Sequence, residues 1–526
     1  MTRSLFALLL LVSLPAFAQS PQPAATPAPA PAPAPAAPPA ATAPTPPPTP
    51  AEIDRQRAAQ VSTLKLLRDK NVITEEEYQA ALKDLGELGA RAKDANTFVM
   101  GKFATSVYGF VQTDFLFNST QSYASDFAAN FQVARPGTYA AANSRLVFTA
   151  RDSRLGFRLS APAPAGFNVT AVFEGDFLGS EPGIFQNTGG TPPVAGTTNS
   201  EAAFFLNPTF RIRHAYLKAE TPVVDVTIGQ TWNLLGWQPA FIPVVVQWPG
   251  LIGELYGRAP QLKLSKAFKS DFITVEAAAA ALRPVQRDSS LPNGEAGVRL
   301  TFNKWAGVHT AYLTGTSALP LSLAITGDVR AFHIPEFSAA PVASNAATGG
   351  AFAIDAFIPI IPGTLANRAN SLALTAEFVR GMGIADQYTG FSSGVTNPAL
   401  PPDANGNPVA FPARVDANLA AYDAAGTLHL VQNQSFFASL EYYLPVLEGK
   451  VGVFGGYYQT DILNTDDFSN AATARRRRVS LAEAGLLWDP VPALRFGADY
   501  GLIRDAYADG TTAWNWSVLG SAFLFF

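Results

Sequence analysis

The sequence predicts an all-β fold, a transmembrane antiparallel β-barrel of about sixteen strands. Ahead of it the sequence predicts a Pro/Ala-rich tether and a short α-helical hairpin. Three observations carry this. The chain is 48% hydrophobic with 37 phenylalanines, yet beyond its first residues no run of 18 apolar residues occurs, which argues against helical spanning. Segments such as FNVTAVFEGDFLG set acids at every second position between phenylalanines, which needs water on one face only. Connections between such segments alternate between short and long, the asymmetry of an outer-membrane barrel.

The elements come in chain order. Arg3, the apolar run from Leu5 to Leu14 and then Ala16-Phe17-Ala18 form a signal peptide over residues 1–18, cleaved after Ala18. The run is too short to cross roughly 30 Å of hydrocarbon as a helix. The absence of cysteine agrees with export. Residues 19–50 are almost entirely Pro, Ala and Thr. Proline removes donors and fixes φ, so this is a disordered, polyproline-II linker reaching on the order of 100 Å, a spacer or a binding segment.

Residues 51–95 read as a helical hairpin or coiled coil in the periplasm. Val61, Leu64, Leu66 and Leu67 lie at near-helical spacing. Thr74 is an N-cap with Glu77 at N3, a capping box. Tyr78, Ala81, Leu82 and Leu85 then form one stripe. VSTLKLLRDKNVITEEEYQAALKDL resembles the helical hairpin called SHOCT, which usually sits at a C-terminus. So small a unit is weak alone. It either self-associates as a trimer over the pore or hangs as an arm that touches peptidoglycan or another periplasmic partner.

The barrel is expected over residues 104–526. In VYGFVQTDFLFN, Val107, Gly109, Val111, Phe115 and Phe117 share a face opposite Gln112 and Asp114. QLKLS, SLALTAEF, SFFASLEYYLP, VGVFGGYYQTD and LRFGADYGLI repeat the habit. Short turns are expected at 162–166, 220–222, 268–271, 303–306, 363–370, 447–450 and 489–493. Long loops are expected at 119–142, 179–208, 233–257, 316–349 and 381–428. Residues 319–335 can instead be a strand pair, which moves the count by two. In the last segment Trp514, Trp516, Val518, Gly520, Ala522, Leu524 and Phe526 share a face. Asn515, Ser517 and Ser521 lie opposite, with Leu519, Phe523 and Phe525 as exceptions. An aromatic end on such a strand resembles the sorting signal of Gram-negative outer-membrane proteins.

VYGFVQTDFLF, SRLGFRLSAPAPAGFNVTAVFEGDFLG and RIRHAYLKAETPVVDVTIGQTW resemble the first strands of the DcaP-like porin family, of the general-porin type. The resemblance is good from Tyr108 to Trp232 and architectural beyond. It implies a sixteen-stranded homotrimer with a periplasmic helical extension. It also implies passive diffusion of small hydrophilic solutes, in some relatives dicarboxylates. On that topology the third external loop, 233–257, folds into the lumen as a constriction. Its residues Trp237, Phe241 and Trp248 are too apolar for a loop in water. A membrane or subunit interface is the other reading. Glu254 is its one acid, so a strong acidic side to the eyelet is not expected.

Arg145, Arg154, Arg158, Arg211, Arg213 and Lys263 are expected to line the pore, because Arg facing lipid costs roughly 2–4 kcal/mol at mid-bilayer. A bulge near Asp152 and Ser153 would turn Arg145, Arg151, Arg154 and Arg158 inward together. Such a wall favours anions if it lines the narrow part, unless inward acids pair it off: Asp114, Glu174, Asp176, Glu377, Glu441 and Asp461. The four arginines Arg475, Arg476, Arg477 and Arg478 contact lipopolysaccharide, capture anions at the mouth, or are simply solvated.

No catalytic motif appears. The four histidines are scattered and none has metal-ligand spacing, so no enzyme, metal or cofactor is expected. His214, at the parity of Tyr216, is expected in an outer aromatic girdle. The net charge of −4 carries no nucleic-acid footprint. The sequence thus reads as a diffusion porin of the outer membrane, in contact with lipid and lipopolysaccharide and passing small anionic solutes. The other reading is a plugged barrel anchoring a periplasmic arm.

Overall fold

The computed structural model describes residues 97–100, 103–122, 133–161, 166–179, 209–246, 252–286, 289–311, 315–388, 391–409 and 411–526. The signal peptide, linker and helical hairpin expected over 1–95 lie outside them.

Sixteen strands form the wall. They are β1 Phe103–Asn118, β2 in two pieces (Arg145–Thr149 and Arg154–Ala161), β3 Asn168–Gly179 and β4 Thr209–Glu220. Next come β5 Asp225–Trp232, β6 Arg258–Lys269, β7 Ile273–Leu282, β8 Asn293–Ala311, β9 Gly315–Pro335 and β10 Ser344–Ile361. The last are β11 Leu372–Met382, β12 Gln432–Tyr443, β13 Val451–Ile462, β14 Arg476–Val491, β15 Leu494–Tyr507 and β16 Thr512–Phe525. Each pairs antiparallel with the next, and β16 returns to β1 from Phe110↔Phe525 to Asn118↔Ser517. Closure leaves the wall no free sheet edge, which lipid demands. A short strand, Thr97–Met100, pairs with the foot of β1.

The wall is apolar outside and polar inside. On β16, Trp514, Trp516, Val518 and Leu524 are exposed outward, while Asn515, Ser517 and Ser521 are buried inward. On β3, Phe173 faces out and Glu174 and Asp176 face in. β2 breaks between Thr149 and Arg154, where the bulge was expected. Ser153 patches the gap: its hydroxyl accepts from the Gln112 N–H and donates to the Gln112 carbonyl.

Three local expectations are corrected. The turn expected at 303–306 is a bulge inside β8, between Phe302 and Ala306. The loop expected at 316–349 is mostly β9 and the start of β10. Asn303 and Pro320 mark a bend there, not a chain reversal. Asp461 faces outward, since Tyr458, Thr460 and Ile462 are the buried parity of β13. It pairs with Arg478 at 2.6 Å.

Candidate functional site

The lumen is crossed by the loop after β5, of which residues 233–246 and 252–257 are described. Leu234, Trp237 and Phe241 pack on small or apolar inner residues of β7, β9, β10 and β11: Ala280, Leu282, Ala324, Phe357 and Ala373. Val244, Val245, Val246 and Ile252 pack on the opposite wall, among Phe110, Phe437, Phe454, Tyr458, Leu519 and Phe523. One segment touching both walls must lie across the interior. Burial of its apolar side chains at about 25 cal/mol per Å² is what holds it there. Trp248 lies outside the described residues.

Wall side chains fasten the loop by its backbone. The Leu234 and Leu235 N–H groups donate to Glu295 Oε2 at 2.6 and 3.0 Å. Gly236 N donates to Thr326 Oγ1 at 3.2 Å. Leu255 N donates to Glu377 Oε1 at 2.9 Å. Glu254 itself is 1% exposed. The acids that the loop lacks therefore stand on the wall, next to it. Glu295 was not picked from the sequence, although its alternation with Ala296 and Val298 marks it as inward.

The basic residues divide into two sets. Arg213 is fully buried, with Nε 3.0 Å from Glu174 Oε1 and Nη1 3.1 Å from Asp176 Oδ2. Its Nη2 donates to the Tyr256 hydroxyl at 3.0 Å, at the end of the crossing loop. Arg211 grips Asp176 through Nε and Nη2, at 2.9 and 2.7 Å. Arg154 Nε lies 3.5 Å from Glu174 Oε1. These charges are largely compensated. Arg158 and Lys263 line a cavity of about 660 Å³ at the short-turn end together with Arg154, Arg213 and the acids Glu174, Glu276 and Asp489, and among the described residues neither Arg158 nor Lys263 has an ion-pair partner. Arg158 lies 5.7 Å from the Tyr108 ring centroid. Lys218, which is paired with Glu220, lines the same cavity, and Gln238 and Pro239 of the crossing loop border it.

The other residues fall elsewhere. Arg145 is on the inward parity near the long-loop end of β2, opposite Asn118. Arg151 sits in the break of β2 and donates to the Phe177 carbonyl. Asp114 accepts from Gln112 Nε2 at 2.8 Å and from the Ser521 hydroxyl. His214 is not in an outer girdle. The register slips at Arg213, so both Arg213 and His214 turn inward, and His214 borders the cavity against Trp232. The four arginines are tied within the chain. Arg476 pairs with Asp505, Arg477 with Asp466 and Arg478 with Asp461, and Arg475 donates to the Thr465 carbonyl.

No family model and no curated protein matches the sequence. Solved structures do match. The outer membrane channel DcaP of Acinetobacter baumannii aligns with a TM-score of 0.55 at 16% identity, over 81% of this chain and 99% of that one. The anion-selective porin of Comamonas acidovorans aligns at TM-score 0.45 and 10% identity, over 81% and 100%. Salmonella typhi OmpF aligns at 0.45 and 9%, over 82% and 100%. At these identities the likeness to DcaP speaks for the fold: a DcaP-like porin barrel.

Proposed function

We propose that this chain is an outer-membrane porin for passive diffusion of small hydrophilic solutes, with a preference for anions such as dicarboxylates. The observation that carries it is a closed lumen narrowed by an inturned loop and bordered by Arg158 and Lys263, which form no ion pair among the described residues. A low-dielectric loop opposite fixed positive charge focuses potential in the narrow section. The residues ahead of the barrel would be a signal peptide, a linker and a periplasmic helical arm. The assembly would be a homotrimer in lipid and lipopolysaccharide, which native mass spectrometry in detergent tests.

Planar-bilayer conductance is the deciding experiment. The purified protein should conduct, and its reversal potential in a salt gradient should show anion preference. A fixed charge acts on an ion 4 Å away by about 1 kcal/mol even in bulk water, so Arg158→Ala with Lys263→Ala should shift the anion-to-cation ratio severalfold. Cation selectivity in the unmodified protein rejects the preference. Apolar packing inside the lumen favours one other reading, a plugged barrel that anchors a periplasmic arm. Absence of conductance would establish that reading instead.

A further inference from the structure

The tip shared by β8 and β9 leaves the wall. Its register slips between Phe302↔Leu321 and Ala306↔Pro320, so β8 carries extra residues and bends. Beyond the bulge Val308, His309, Thr310 and Ala311 are 1, 1, 2 and 4% exposed. A wall strand turns every second side chain to lipid, so four consecutive buried residues are not wall.

Their partners place them inside. His309 Nδ1 is 2.6 Å from Glu441 Oε1 on β12, and its Nε2 is 2.9 Å from the Ile242 carbonyl of the crossing loop. Thr310 N donates to Glu441 Oε2 at 3.1 Å. Thr316 donates to Asp489 Oδ2 on β14 at 2.9 Å and accepts from Arg495 Nη2 on β15 at 2.8 Å. Arg495 Nε and Arg368 Nη1 also hold Asp489, at 2.7 and 3.1 Å. None of β12, β14 and β15 neighbours β8 or β9 in the sheet. The tip therefore reaches across the lumen at the short-turn end. Its bend is fixed by Trp305, whose Nε1 donates to the Pro359 carbonyl at 2.7 Å. Gly307 fits there because a Cβ would come within 2.6 Å of Pro359.

We propose that this tip, residues 307–311 and 315–319, is a second size-determining element of the pore, bordering the same cavity as the crossing loop. Gly315 and Thr316 border the cavity that Arg158 and Lys263 line. A solute in this cavity meets Thr316 together with Arg158 and Lys263. The tip is held by hydrogen bonds to β12, β14 and β15, so it is a fixed narrowing and not a loose flap. This inference rests on the porin reading.

Two full-chain variants test it. Replacing residues 308–318 by Asn-Gly, a two-residue hairpin turn, should raise conductance about twofold or more and admit larger sugars in liposome swelling. A variant with native heat-modifiable mobility but unchanged conductance and sugar limit overturns the proposal. The second variant keeps the tip. The chain has no cysteine, so Thr316→Cys supplies the sole thiol. Methanethiosulfonate reagents of increasing bulk should then lower conductance stepwise, and full modification without effect overturns the proposal. If the unmodified protein does not conduct but the shortened one does, the tip stands as the obstruction and the porin reading falls.

Discussion

At the scale of single residues, Arg213 shows how a charge can belong to the inner wall without serving the solute. Glu174, Asp176 and Tyr256 take up its three nitrogens. Removing one partner of a buried pair strands the other charges, at a cost of about 3–5 kcal/mol. Arg213→Ala should therefore lower the urea midpoint of unfolding strongly. Arg211→Ala should lower it less, because Arg211 is 31% exposed at its side chain and leaves Asp176 to Arg213. A drop from Arg211→Ala equal to that from Arg213→Ala would count against this reading of the network. The sequence made Arg211 and Arg213 legible as inward, since arginine alternates there with Phe210 and Ile212. It did not make His214 legible. One slipped residue inverts the parity of every later position on the strand, and nothing in RIRHAYLKAE announces the slip.

At the scale of elements, the crossing loop was legible by its greasiness and its anchors were not. Leu234 and Glu295 are 61 residues apart, and Leu255 and Glu377 are 122 apart. No local pattern links such pairs. Glu295→Ala leaves two buried N–H groups without an acceptor, at about 1–3 kcal/mol each. The expected outcome is a loosened loop, read as noisier single-channel current and faster chymotrypsin cleavage near Phe241. A quiet channel with native protease resistance would show that apolar packing alone suffices. The long-loop rim has a polar lock of its own. Hydrogen bonds from Arg135 and Thr511 hold the exposed Asp509 carboxyl down at about 2. A depressed carboxylate stabilises fully above its unfolded value of about 3.9. That contribution fades as pH falls through about 2. The Arg135–Asp509 contact should thus persist at pH 5 and loosen under stronger acid, tracked by a spin label beside Arg135. Asp509→Asn should loosen that contact at neutral pH.

At the scale of the whole molecule, the barrel is inside-out relative to a water-soluble protein, yet part of its lumen is apolar. Both facts bear on β16. Outward Val518 is 40% exposed and pairs with Tyr500 and Phe117 at mid-strand. Inward Leu519 is 1% exposed and packs in the cluster with Val244, Val245 and Val246. The alternation that predicts the barrel treats Leu519 and Phe523 as exceptions, and the crossing loop explains them: an apolar loop needs apolar wall. The β8–β9 tip had no such signal, because a strand that bends inward keeps strand-like composition. The two faces of β16 should respond differently to the same change. Val518→Arg puts charge into lipid at about 2–4 kcal/mol near the midplane, so it should slow or prevent folding into vesicles, seen as loss of the heat-modifiable band. Leu519→Arg puts the charge on the lumen side, where water can reach it once the loop shifts. That variant should insert, unseat the loop and raise conductance. If Leu519→Arg fails to insert as completely as Val518→Arg does, or inserts with unchanged conductance, the loop is not seated on this face of the wall.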